Sequence, residues 1–130
     1  MKIEHFAFNV AEPAAVAEWY VRYLGLTVAR RLNNKQQTHF LADESGFILI
    51  EIYNNPPNQI PPYAAMNPLL LHLAFVSENP DSDRVALVEA GASFVEEEHF
   101  ADGTHLVMLR DPWGLALQLC KRGVPMLKSV

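Results

Sequence analysis

Apolar and polar positions alternate from the start of the chain, and the period of that alternation changes in an order that spells out its elements. Over residues 3–10, Phe6, Phe8 and Val10 fall on one side and His5, Ala7 and Asn9 on the other, as in a strand. Pro13 then opens a stretch to Leu24 in which Val16, Trp19, Tyr20 and Tyr23 recur at helical spacings. Proline suits a first helical turn, and Gly25 suits the left-handed residue that ends one. Strand patterns follow at 26–32, 37–42 and 47–53, separated by Asn33-Asn34 and by Asp43-Glu44-Ser45-Gly46. The isoleucine-rich run at 47–53 is too short and too β-branched for a helix. The same order then recurs. A strand near 70–77 leads to Asn79-Pro80-Asp81 and a helix reaching Ala90, with Gly91 behind it. Strands near 93–97, 104–110 and 114–121 complete the series, the last one entered through Asp111-Pro112-Trp113-Gly114. Each half reads βαβββ, so the predicted fold class is α+β, with two tandem modules in one domain spanning 1–130.

Module 1 covers about 1–53 and module 2 about 69–121. The intervening 54–68 holds five prolines, Pro56, Pro57, Pro61, Pro62 and Pro68. Proline has no backbone donor and favours extended chain, so this segment reads as a stiff connector. The alternative, functional reading of the segment is that Tyr63 and Met66 overhang the mouth of a cavity.

The recurrence extends to chemistry. His5 lies 46 residues before Glu51, and His72 lies 46 residues before Gln118, so the halves are offset by 67 residues. The flanks agree: His5-Phe6-Ala7-Phe8 matches His72-Leu73-Ala74-Phe75, and Ile48-Leu49-Ile50-Glu51-Ile52 matches Leu115-Ala116-Leu117-Gln118-Leu119. Internal self-similarity reports architecture, and two copies define a pseudo-symmetric pair. Each half therefore carries a potential metal ligand on its first strand and another on its last. Alternation puts His5 with Ala7, His72 with Ala74, and Gln118 with Ala116 and Cys120, while bulky apolar residues point the other way. The small-residue face leaves room for a ligand; the bulky face packs on the helices. Glu51 shares its face with Leu49 and Tyr53, and an inward-facing carboxylate needs a partner, which a metal can supply. His39 and His105 form a second echo at an offset of 66, in Thr38-His39-Phe40 and Thr104-His105-Leu106. These two are candidate substrate contacts on the rim.

Composition narrows the function. Half the residues are apolar and 19% are charged, ordinary for a soluble globular domain. A net charge of −5, with no Lys/Arg cluster outside the short tail near Lys121-Arg122, argues against nucleic acid as partner. No apolar run approaches the roughly 20 residues of a membrane span, and no signal peptide opens the chain, so a cytoplasmic location and no membrane partner are expected. Cys120 is the one cysteine, which leaves no intramolecular disulfide, and nothing marks it as reactive.

The motifs Ile3-Glu4-His5-Phe6-Ala7, Trp19-Tyr20 with Tyr23-Leu24-Gly25-Leu26, His72-Leu73-Ala74-Phe75, and Arg110-Asp111-Pro112-Trp113-Gly114 leading to Gln118-Leu119 give the chain a resemblance over about 3–121. It resembles the vicinal oxygen chelate proteins, the glyoxalase/bleomycin-resistance/dioxygenase superfamily. The resemblance implies curved mixed sheets that form a cup completed in a homodimer, a small-molecule substrate, and a divalent transition metal (Zn, Ni, Co, Mn or Fe). The family's four ligand positions fall on His5, Glu51, His72 and Gln118. The last departs from the commonest pattern, in which a glutamate follows the Asp-Pro-x-Gly turn and moves the substrate proton. Gln118 cannot act as a base. The same set with Glu and Gln exchanged occurs in epimerase-like members, so Glu51 takes the catalytic role in a mirrored arrangement.

Three readings follow. One is a metal-dependent glyoxalase-like lyase, isomerase or epimerase acting on an oxygen-bearing substrate. The second is an extradiol-type dioxygenase using His5, His72 and Glu51, whose family members carry their carboxylate where Gln118 stands. The third is a metal-free binding protein of the bleomycin-resistance type, with Tyr53, Tyr63 and Trp113 stacking on the ligand. A vestigial site in a regulatory module is the plainest alternative.

Overall fold

The computed structural model describes residues 1–128, and the chain divides into two compact units, Met1–Pro61 and Pro62–Val130. In the first, strand β1 (His5–Asn9) leads into helix α1 (Pro13–Leu24), followed by strands β2 (Thr27–Arg31), β3 (His39–Ala42) and β4 (Leu49–Tyr53). In the second, β5 (His72–Val76) leads into α2 (Pro80–Glu89), followed by β6 (Ser93–His99), β7 (His105–Arg110) and β8 (Ala116–Lys121). Both units are thus βαβββ, and each holds a four-stranded mixed sheet, ordered β1-β4-β3-β2 and β5-β8-β7-β6. The expected fold class stands.

Local chemistry explains the helix limits. Pro13 opens α1, and Gly25 closes it at φ 72°, its N–H reaching the Tyr20 carbonyl. Asn79 caps α2 by accepting the Ser82 N–H at 3.2 Å, and Asp81 and Asp83 lie in the first turn, where the helix dipole favours negative charge. Strand β6 runs to His99, two residues beyond the expected end. Glu96-Glu97-Glu98 weakens intrinsic strand preference, but pairing with β7 continues to His99↔His105 and carries the acidic run into the ladder.

Register makes the repeat physical. In the first sheet β1 runs parallel to β4 with Ala7 opposite Glu51; in the second β5 runs parallel to β8 with Ala74 opposite Gln118. Both β2–β3 and β6–β7 also carry a register shift at the corresponding place, between Val28 and Arg30 and between Phe94 and Glu96. One face of each sheet packs on its helix and carries that unit's buried apolar layer. Leu41 and Ile52 lie on it in the first unit, with α1 against β3 and β4, and Val107, Leu109 and Leu117 in the second, with α2 against β7 and β8.

The proline-rich segment is tied down at both ends. Asn9 Nδ2 donates to the carbonyls of Pro56 (2.8 Å) and Gln59 (3.1 Å), and its Oδ1 accepts the Asn55 N–H at 2.6 Å. In the second unit the Arg110 guanidinium donates to the carbonyls of Tyr63 (2.8 Å), Met66 (2.7 Å) and Gly114 (3.0 Å). A short 3-10 turn, Tyr63–Ala65, buries the Tyr63 side chain there. Among the described residues no helix is long and apolar enough to cross a membrane.

Candidate functional site

Strand alternation and register set the residues of interest on defined faces. In the first unit His5, Ala7, Glu51, Tyr53 and Phe40 share the face away from the buried layer, since Ala7 and Phe40 are both register partners of Glu51. His5 Nε2 stands 3.2 Å from Glu51 Oε2, with the side chains 38% and 19% exposed. On its other side, His5 Nδ1 lies 2.8 Å from Glu4 Oε1, and the Phe40 ring meets the imidazole edge-on at 6.0 Å. A carboxylate only accepts hydrogen bonds, so Nδ1 carries a proton to serve Glu4. A neutral His5 then turns the Nε2 lone pair toward the Glu51 carboxylate. Two lone pairs at that distance repel unless a proton or a cation lies between them.

The second unit repeats half of this arrangement. His72 Nδ1 donates to the Pro68 carbonyl at 2.9 Å, which fixes the tautomer and leaves Nε2 as the free acceptor. Gln118 sits one strand over, two residues along in register, as Glu51 does from His5. Its Oε1 accepts from the Cys120 thiol at 3.2 Å. Burial pushes that thiol above its ordinary pKa, so it stays protonated and is a donor, not a nucleophile. Met108 faces Gln118 as Phe40 faces Glu51. A shallow cavity of about 90 Å³ opens on this face, walled by Leu69, Glu96, Glu98, Leu106, Met108 and Gln118 among others.

The remaining sequence-derived candidates fall in different places. Tyr53 shares the Glu51 face. Tyr63 is buried in the 3-10 turn, and Trp113 is half-buried in the turn before β8, its backbone N–H donating to Asp111 Oδ1 at 2.9 Å. His39 and His105 lie on the opposite, helix-side faces, opposite Ile52 and on the side of Val107. Their equal offset is not structural equivalence. Glu51 pairs with Phe40 and Gln118 with Met108, so β3 and β7 correspond at 68 residues, and His39 matches Val107. The longer β6–β7 hairpin accounts for the difference.

Sequence reasoning passed over Glu97 and His99, which with His105 form a cluster that could hold a cation. A Glu-x-His on one strand, facing a histidine across a short turn, was the available signal.

This fold, with paired βαβββ units and a histidine and a carboxylate or amide at matched positions of each, defines a small-molecule-binding class. The chain belongs to the Glyoxalase/Bleomycin resistance protein/Dioxygenase superfamily, whose model matches residues 2–119. Among solved structures it is similar to SMU.1112c, at 27% identity and a TM-score of 0.70, over 93% of this chain and 98% of that one. It is also similar to TnmS3, an antibiotic binding protein from Streptomyces sp. CB03234, at 16% identity and TM-score 0.70, over 92% and 93% of the two chains. A glyoxalase I mutant from Zea mays matches at 18% identity and TM-score 0.71, over 93% of this chain but 45% of that one. The latter two show the shared fold. No curated protein sequence matches the chain.

Proposed function

We propose that this protein is a metal-dependent glyoxalase-like enzyme of the lyase, isomerase or epimerase type, acting as a homodimer on a small oxygen-bearing substrate. The observation that carries the reading is the His5–Glu51 pair. Its 3.2 Å contact, with Nδ1 already committed to Glu4, supplies a nitrogen and an oxygen donor aimed at one point. His72 and Gln118 are the counterpart pair, with His72 held by Pro68 in the tautomer that a ligand needs. Two imidazole nitrogens, one carboxylate and one amide oxygen suit Zn2+, Ni2+, Co2+, Mn2+ or Fe2+. Such a cation, when bound, supplies Lewis acidity that lowers the cost of negative charge developing on a substrate oxygen.

The chain's own residues do the rest. Glu51 is the one carboxylate in the set and takes the substrate proton on its free oxygen. Gln118 offers an oxygen but cannot exchange protons, so the two halves of the set are chemically unequal. Phe40, Met108 and the alanines beside the ligands leave room there, and Glu96 and Glu98 border the Gln118 side. Tyr53, on the Glu51 face, is the first candidate to contact bound substrate, with Tyr63 and Trp113 as further candidates, whereas His39 and His105 lie on the helix-side faces, away from Glu51 and Gln118.

The test is elemental analysis of untagged protein beside a Glu51→Ala/His72→Ala control. A near-stoichiometric transition metal that falls in the control supports the reading, and Glu51→Gln should then lose turnover while keeping the fold. Metal content that the control does not lower, even after reconstitution with Ni2+, Zn2+ and Fe2+, would sink it. No metal at all would make a metal-free small-molecule-binding role the better account.

A further inference from the structure

The outer hairpin of the second unit carries a group of donors that plays no part in that reading. Glu97 and His99 are two apart on β6 and share a face, and His105 on β7 is the direct register partner of His99. His105 Nε2 lies 2.9 Å from Glu97 Oε2, and His99 Nε2 lies 3.7 Å from the same oxygen. The two imidazoles stack with centroids 3.9 Å apart and planes 19° apart. All three donor atoms lie within 4.8 Å of one another. Donors on a tetrahedral ion with bonds of about 2.0–2.1 Å stand roughly 3.3–3.4 Å apart, so the preformed spacings bracket what a bound cation requires.

His105 Nε2 carries the hydrogen bond to Glu97 Oε2, so a cation bound here displaces that proton and takes its place between ring and carboxylate. Arg84 NH1 approaches Glu97 Oε1 at 3.5 Å and holds the carboxylate with Oε2 toward the rings. His105 is 9% exposed and fixed in the ladder, while His99 is 66% exposed, so one side stays open to water or an added ligand. Lys121, the register partner of His105 on β8, and Arg84 are cations on this face, and Arg84 lies 3.9 Å from Asp81 Oδ1 as well as close to Glu97. The first unit lacks the set: in register, Arg31 stands where Glu97 does, so the group is not a product of the internal repeat.

We propose that Glu97, His99 and His105 form a second cation site for a borderline divalent ion such as Zn2+, on the opposite sheet face from Gln118, which clamps the end of the β6–β7 hairpin. Two imidazoles with one carboxylate select such ions over Mg2+ or Ca2+, which prefer all-oxygen shells.

The experiment is calorimetric titration of chelator-stripped protein with Zn2+, on the wild type, Glu51→Ala/His72→Ala, His99→Ala and the triple variant. His99 is exposed, so its replacement leaves the fold in place. The expected result is one Zn2+ equivalent retained by Glu51→Ala/His72→Ala and weakened at least about tenfold in the triple variant. In the wild type, Zn2+ should also shift the His99 and His105 ring signals together in NMR, which stands even if the double variant folds poorly. Zn2+ binding unchanged by His99→Ala, or ring signals of His99 and His105 that ignore Zn2+, overturns the proposal. Binding that ignores Glu51→Ala/His72→Ala but vanishes with His99→Ala would instead count against the first site alone.

Discussion

At the scale of single residues, the side chains behind the proposed ligands are as informative as the ligands. His5 was legible in the sequence through its repeat with His72, but Glu4 was not. Its role appears only when the strand places its carboxylate 2.8 Å from Nδ1. An outer hydrogen bond of this kind fixes ring orientation and raises ligand basicity, and losing it typically costs about 10- to 100-fold in metal affinity. Glu4→Ala should accordingly weaken metal binding by that order while leaving the circular dichroism spectrum unchanged, as read by competition with a chromophoric chelator. Unchanged affinity would show that Glu4 does not orient the ring. Glu97 and His99 escaped sequence reasoning for a related reason. The register shift between Phe94 and Glu96 decides which glutamate of the acidic run faces His105, and a one-residue shift exchanges the faces of a strand.

At the scale of elements, the helices, the strand order and the βαβββ repeat could all be read from periodicity and turn residues. What could not be read was the anchoring of the proline-rich segment. In the sequence Arg110 is only the residue that precedes the last turn, yet its guanidinium binds three carbonyls, two of them in that segment. The turn it serves is tight. Gly114 has φ +97°, and a Cβ there would lie 2.6 Å from the Ala64 backbone nitrogen. Gly114→Ala therefore combines a left-handed backbone with a clash against main chain that cannot simply rotate away. A loss of about 2 kcal/mol is expected from the backbone strain alone, seen as a Tm lower by roughly 10 °C in calorimetry. A Tm within error of the wild type would mean that the Tyr63–Ala65 turn yields without cost.

At the scale of the whole molecule, family membership and fold class were both within reach of the sequence because the repeat, the turn residues and the motifs agree with one another. Substrate and reaction were not, because function lives in the site and the site's partners are set by geometry. Metal binding offers a readout at this scale that needs no substrate. A ligand that binds only the folded chain stabilises it by about 2.7 kcal/mol at a hundred times its Kd. Saturating metal should therefore raise the Tm of the wild type, and the increment should shrink in Glu51→Ala/His72→Ala and shrink further when His99→Ala is added. An increment undiminished by all three substitutions would place the bound metal elsewhere on the chain. The sheet order adds a consequence in time. In each unit the last strand made, β4 or β8, is inserted between two earlier ones, β1 and β3 or β5 and β7. Glu51 and Gln118 ride on those closing strands. As the chain emerges from the ribosome, neither histidine meets its polar neighbour until the sheet around it is complete, whereas the Glu97-His99-His105 group lies on β6 and β7 and can assemble before β8 is made.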